Sequence, residues 1–158
     1  MISLTPLVAH LKPKPAGFDG VWFRAVGGAA EYAAISPEAL PLPACWVVRA
    51  ADQVRHAGER TEDTTFVFDV VIAVENLRLA DPRTMDDELL KYRSAVKDRL
   101  LGWEISPGVM PIKWGGGKVL EYTNGDIYWS DRYTFSALIT NYLPDPPAYT
   151  GIANTGEH

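Results

Sequence analysis

The chain has 158 residues and a net charge of -5, enough for one domain that buries about 70% of its unfolded surface without a staple. Its 15 Lys and Arg form no basic block, which argues against a dedicated nucleic-acid binder and for a protein partner, because phosphate contacts need clustered cations. The single cysteine, Cys45, excludes a disulfide within the chain and, beside Trp46, Val47 and Val48, reads as a buried reduced thiol rather than a nucleophile.

No apolar run approaches the roughly 20 residues of a membrane span, and the opening MISLTPLVAHLKPKP lacks the basic start and apolar core of a signal peptide. The expectation is a protein made and kept in a cytoplasm. Ser3 can cap a short helix with Leu4, Leu7, Val8 and Leu11 as its apolar stripe and Pro6 in an early turn, stopped by Pro13 and Pro15. Such a helix is too short to stand alone and must dock on the sheet or on another subunit. VWFRAV then reads as a strand, Gly27-Gly28 as a bend or hairpin tip, and AEYAAI as a second strand. SPEALPLPA, with Pro37, Pro41 and Pro43, is an irregular crossing.

ACWVVRAA is an apolar strand with Trp46 and Val48 on one face and Cys45, Val47 and Arg49 on the other. The following ADQVRHAGERTEDT is rich in charge, with Gly58 near its middle and Val54 as its one sizeable apolar residue. Two readings stay open: a solvated loop, or a hairpin arm that orders against a neighbouring subunit or partner. TTFVFDVVIAV alternates Phe66, Phe68, Val70, Ile72 and Val74 with Val67, Asp69, Val71 and Ala73, a bulky apolar face backed by a smaller one, as in a central strand.

After Asp81-Pro82, Met85, Leu89, Tyr92, Val96 and Leu100 recur at helical spacing over about 84–101. Asp86, Asp87 and Glu88 fall in the expected first turn and Arg99 in the last, complementing the helix dipole, and Gly102 stands at the C-terminal cap. SPGVMPI is another crossing. KWGGGKVLEYTNGDIYWSDRYTFSALIT reads as a terminal hairpin turning at Asn124-Gly125. Its second strand sets Trp129, Tyr133, Phe135, Ala137 and Ile139 on one face and Tyr128, Ser130, Arg132, Thr134 and Ser136 on the other. The expected fold class is α+β in two layers, a mainly antiparallel sheet packed against one long amphipathic helix, with a short N-terminal helix and a C-terminal β-hairpin. One domain spans 1–142, followed by a Pro/Gly-rich tail over 143–158 that is flexible by composition or orders on assembly.

Catalytic signatures are missing from the sequence. Gly115-Gly116-Gly117-Lys118 fails as a phosphate loop because Val119 and Leu120 start a strand where a helix is required, leaving a strand entry or bulge. His10, His56 and His158 are not at metal-ligand spacing. Asp126 and Asp131 have no evident acid or base partner, and no G-x-S-x-G elbow is present. Trp46 and Trp103 read as core; Trp22, Trp114 and Trp129 read as core or interface anchors. The expectation is a protein that is not an enzyme and uses no metal or cofactor.

The segment order WVVRA, FVFDVVIAVENL, D-x-x-x-x-Y-R-x-x-V-x-x-x-L-x-G-W and GGKVLEYTNGDIYWSDRYTFSALITNY resembles the tail terminator (tail completion) proteins of long-tailed phages, from about Met1 to Tyr142. The resemblance implies a virion tail component, assembled in the host cytoplasm as a homohexameric ring. The ring would sit on the tail tube protein, end tube polymerisation and offer a joining surface to a head-tail connector protein. DNA would pass through without specific binding, and no membrane, cofactor or catalytic residue is involved. By the same resemblance Arg55, His56, Glu59 and Arg60 are tube-contact candidates. A ring needs two different patches meeting head to tail, and the candidates are the first helix, the Gln53 to Asp63 loop and the second face of the long strand with Tyr128, Ser130, Arg132 and Thr134, with Trp129 as an interface anchor. The alternatives are a head-tail connector or neck protein, and a small ligand-binding or enzymatic domain with Trp114, Tyr122, Tyr128 and Trp129 around a pocket.

Overall fold

The computed structural model describes residues 1–34, 41–75, 82–122 and 126–140, and of residues 82–85 and 122 the backbone alone. Its elements run α1 (Thr5–Leu11), β1 (Ala25–Gly27), α2 (Ala29–Ala33), β2 (Ala44–His56), β3 (Thr61–Glu75), α3 (Pro82–Leu100), β4 (Lys113–Tyr122) and β5 (Asp126–Thr140). They form one sheet in the order β1-β2-β3-β5-β4, antiparallel except where β1 lies parallel to β2.

β3 is central because it is apolar on both faces. Phe66, Phe68, Val70, Ile72 and Val74 point into the main core, and Val71 and Ala73 join a smaller cluster with Ala44, Trp46 and Tyr128 on the opposite face. Register partners on the helix side stack: Phe66 on Phe135 at 5.1 Å and Phe68 on Tyr133 at 5.7 Å between ring centroids. Such cross-strand aromatic pairs are the unit by which a sheet is stabilised.

The helices add to the same core. Leu7 and Leu11 of α1 and Leu89, Tyr92, Val96 and Leu100 of α3 belong to it. Gly102, at φ 77, ends α3 as a C-terminal cap, where a left-handed residue favours glycine. Its N–H donates to the Ile112 carbonyl at 3.1 Å, which ties the helix end to the entry of β4. Arg99 donates to the carbonyls of His10 and Pro13 at 3.2 and 3.1 Å, and the His10 ring stacks on Trp103 at 3.9 Å. His10 is therefore half-buried against α3 rather than free on a helix surface. Trp22 is buried and donates from Nε1 to the Leu11 carbonyl at 2.8 Å, so it is a core residue.

The expected class needs correction. The molecule is mainly β, a five-stranded mixed sheet in which strands hold far more of the described chain than helices do, and not a two-layer α+β arrangement built on one long helix. Two features make the difference. β2, β3 and β5 are 13, 15 and 15 residues long because the charged stretch after Arg49 pairs as strand. β1 returns parallel to β2, making the sheet mixed. AEYAAI is not a strand: Ala29–Ala33 is a helix turn, and the Gly28 N–H at its N-cap donates to Glu31 Oε2 at 3.0 Å. VWFRAV is strand only from Ala25 on. α3 begins at Pro82, so Asp86, Asp87 and Glu88 sit beyond its first turn and do not act there as capping residues. The Asn124-Gly125 turn, most of SPEALPLPA and the tail 143–158 lie outside the described residues.

Candidate interaction surfaces

The stretch after Arg49 has no apolar periodicity, yet its ladder continues unbroken to the tip. Arg55 is opposite Asp63, His56 opposite Glu62, and β5 follows alongside until Thr140 meets Thr61. Three strands thus extend together as an arm. Every residue from Arg49 to Arg60 is exposed, so the β2 side of the arm carries no core, while Thr64 and Ala137 are buried where β3 and β5 run beside it. Local polar bonds hold it instead: Arg55 to Asp63 at 3.1 Å, Thr65 with Ser136 at 3.0 Å, and Ala57 and Gly58 N–H to the Thr61 carbonyl at 3.0 and 3.1 Å. Arg55, His56, Glu59 and Arg60 come together at this tip, in strand ends and turn.

The remaining candidates do not share one surface. On β5, Tyr128 and Arg132 face away from the helices and Trp129 faces them. Tyr128 is buried in the small cluster with Trp46. Arg132 is exposed and forms a two-pronged bridge to Asp69, its register partner, at 2.9 and 3.1 Å. That bridge lines a cavity of about 210 Å³ with Gly115, Gly116, Gly117, Lys118 and Ser130. Trp129 is half-buried under the Arg93 guanidinium, 4.1 Å from the ring centroid. By register Trp114 shares the face of Tyr133, so Trp114 and Trp129 lie across the sheet from Tyr128 and cannot line one pocket with it. The side chain of Tyr122 is outside the described residues.

Sequence reasoning missed the residue around which the helix side of β5 is organised. Asp131 is 1% exposed and accepts two bonds from Arg93 of α3, at 2.9 and 3.0 Å, and a third from Trp114 Nε1 at 3.2 Å. A charge so buried requires a partner held in good geometry. Lys97 Nζ lies 3.4 Å from the Trp114 ring centroid, closing the group from outside. The register breaks between Trp114 and Gly117, and a Cβ at Gly117 would stand 2.6 Å from Trp129 Nε1 and within the contact radius of the Asp131 carboxylate. The glycine run is thus a bulge that makes room for a buried acid. Two signals pointed there: Asp131 has the parity of Trp129 and Tyr133 in the strand pattern, and a glycine lies opposite it.

Burial also pushes the Cys45 thiol and the Tyr133 hydroxyl well above their usual ranges, with the Asp131 charge adding to the shift at Tyr133. A thiol held protonated is a poor nucleophile. Among the described residues no group of three His, Cys, Asp or Glu side chains could hold a metal ion, and no helix is long and apolar enough to cross a membrane.

A family model described as phage tail terminator protein matches residues 3–142. The chain belongs to the phage tail terminator family. The match covers the whole described sheet and all three helices, so the arm and the Asp131 group both lie inside the terminator domain. The family is a structural one, and its members are components of the virion. No curated protein matches the terminator sequence.

Proposed function

We propose that this terminator caps the phage tail tube as a homohexameric ring, assembled in the host cytoplasm, that ends tube polymerisation and leaves a surface for the head-tail connector protein. The observation that carries the reading is the arm: a fully laddered three-stranded projection, exposed all along β2 from Arg49 to the tip. Ordered backbone held away from a core suits a contact with another protein, because its strand edge and side chains are already arranged and little ordering entropy remains to be lost on binding. The tip residues Arg55, His56, Glu59 and Arg60 meet the tail tube protein in this reading, and charge of both signs there gives specificity to the encounter. Tyr128, buried beneath Trp46, supports the sheet at a subunit contact rather than making one, and Arg132 offers a charged side chain on the same face.

The test is tube assembly with and without the protein, with native mass measured in parallel. Added terminator should halt elongation, with six copies bound per tube end. Tubes that grow unchanged in its presence would remove the reading.

A further inference from the structure

We propose that the seam between α3 and β4 receives the arm of a second copy of this chain; the inference rests on the ring reading above and names the contact that would close the ring. Leu90, Arg93 and Lys97 of α3 and Leu101 just past its end fall on one line by their spacing of three, four and four. Trp114 and Val119 stand on the helix-side face of β4, opposite Tyr133 and Trp129. Leu90, Leu101, Trp114 and Val119 are each at least 40% exposed. An apolar strip of this kind rimmed by cations has the character of a protein contact, and tryptophan and arginine are the residues that carry most binding energy in such contacts. Trp114 is already fixed between Lys97 and Asp131, so docking onto it freezes little further motion.

The second copy is chosen by charge and position. On the arm the side chains that continue the helix-side face are Asp52, Val54, His56 and Glu62, by register with Phe66, Thr64 and one another. Asp52, bridged to Arg49 at 3.1 Å, and Glu62 therefore flank an exposed valine, and Glu62 is opposite in sign to the seam, where Lys97 makes no ion pair among the described residues and Asp131 is already committed to Arg93. The arm belongs to β2 and β3, and the seam to the far edge of the sheet at β4. One copy cannot close its own seam with its own arm, so the contact runs head to tail, the arrangement that generates rings. From Arg49 to His56 the arm spans about 25 Å, enough for one face of its strands to lie along a neighbour's seam while the turn at Ala57–Arg60 reaches past it.

The experiment uses the full chain on purified tail tubes. The doubly substituted Val54→Cys, Leu101→Cys protein, oxidised after assembly, should give a covalent ladder ending at six copies, while each single substitution gives only monomer; buried Cys45 contributes no background. Glu62→Lys or Lys97→Glu should each raise the concentration for half-assembly about tenfold, and the two together should return it to within about threefold. Far-UV circular dichroism verifies that each variant is folded. An intact ring without a ladder, or a dimer from Leu101→Cys alone, would overturn the arm-to-seam contact and leave the ring standing. Unsubstituted protein that never assembles on tubes would overturn both.

Discussion

Two arginine-aspartate pairs lie side by side on β5 and have almost the same geometry. Arg93 grips Asp131 at 2.9 and 3.0 Å, and Arg132 grips Asp69 at 2.9 and 3.1 Å. Their surroundings are opposite. Side-chain exposure is 20% and 1% for the first pair and 52% and 22% for the second. Geometry is therefore no guide to what either contributes. In water the attraction is screened and largely offset by the loss of side-chain freedom. Beneath α3, removing one partner strands a charge that cannot be rehydrated.

The sharpest way to break the comparison is Asp131→Ala, which leaves Arg93 and Trp114 Nε1 without their acceptor. A loss of about 3–5 kcal/mol in urea unfolding is expected, and a loss under about 1.5 kcal/mol would show that Arg93 swings out to water at little cost. Gly117→Ala attacks the same group from the bulge side. With Asp131 and Trp129 both in the path of the new Cβ, a cost of about 2 kcal/mol is expected, and suppression by pairing it with Asp131→Ala would identify the clash.

Alkaline pH tests the buried half without mutation. Cys45 and Tyr133 are held protonated in the fold above their ordinary values, so the unfolded chain releases these protons first. Stability is full below the unfolded pKa of the thiol, about 8.5, and declines as pH rises through and beyond it, by on the order of 3 kcal/mol at pH 10.5. A Cys45→Val protein should lose the part of the decline that begins near pH 8.5, and an unchanged profile would discount the thiol.

The exposed pair should respond weakly. Asp69→Ala is expected to cost no more than about 1 kcal/mol, and 1 M salt should erase most of that while leaving the Asp131 effect in place, because only the exposed pair is open to screening. Smallest of all, Glu59→Ala at the arm tip should shift the unfolding midpoint by under about 0.5 kcal/mol and show its consequence only in tube capping.

What the sequence disclosed follows from burial. Phe66 to Val74 alternates against a core on both sides and is legible as a central strand. The same strand from Thr61 to Thr65, and its partner beyond Arg49, is equally regular in hydrogen bonding, but the β2 side is exposed and the β3 side is polar even where it is buried, as at Thr64, so nothing selects an apolar period. Ala29–Ala33 failed for a related reason: five small or mixed residues fit either period, and the Gly28–Glu31 cap decides. Asp131 went unread because its partner is 38 residues away on α3. The tip candidates could be placed as one charged stretch. That they stand at the end of a three-stranded arm is a matter of pairing across 79 residues, from Thr61 to Thr140, which local pattern does not contain.

The neighbours Asp131 and Arg132 also act as a parity check on the strand. Their partners are fixed on opposite sides, Arg93 on the helix side and Asp69 on the other. If β5 slipped by one residue, every side chain would change face. Slipped one way, Arg132 would come under Arg93; slipped the other, Asp131 would face Asp69. Either direction sets like charges together, so a frame-shifted sheet is penalised whichever way it moves. A strand of fifteen residues, long enough to find many alternative frames, carries its own error-detecting code in two adjacent letters.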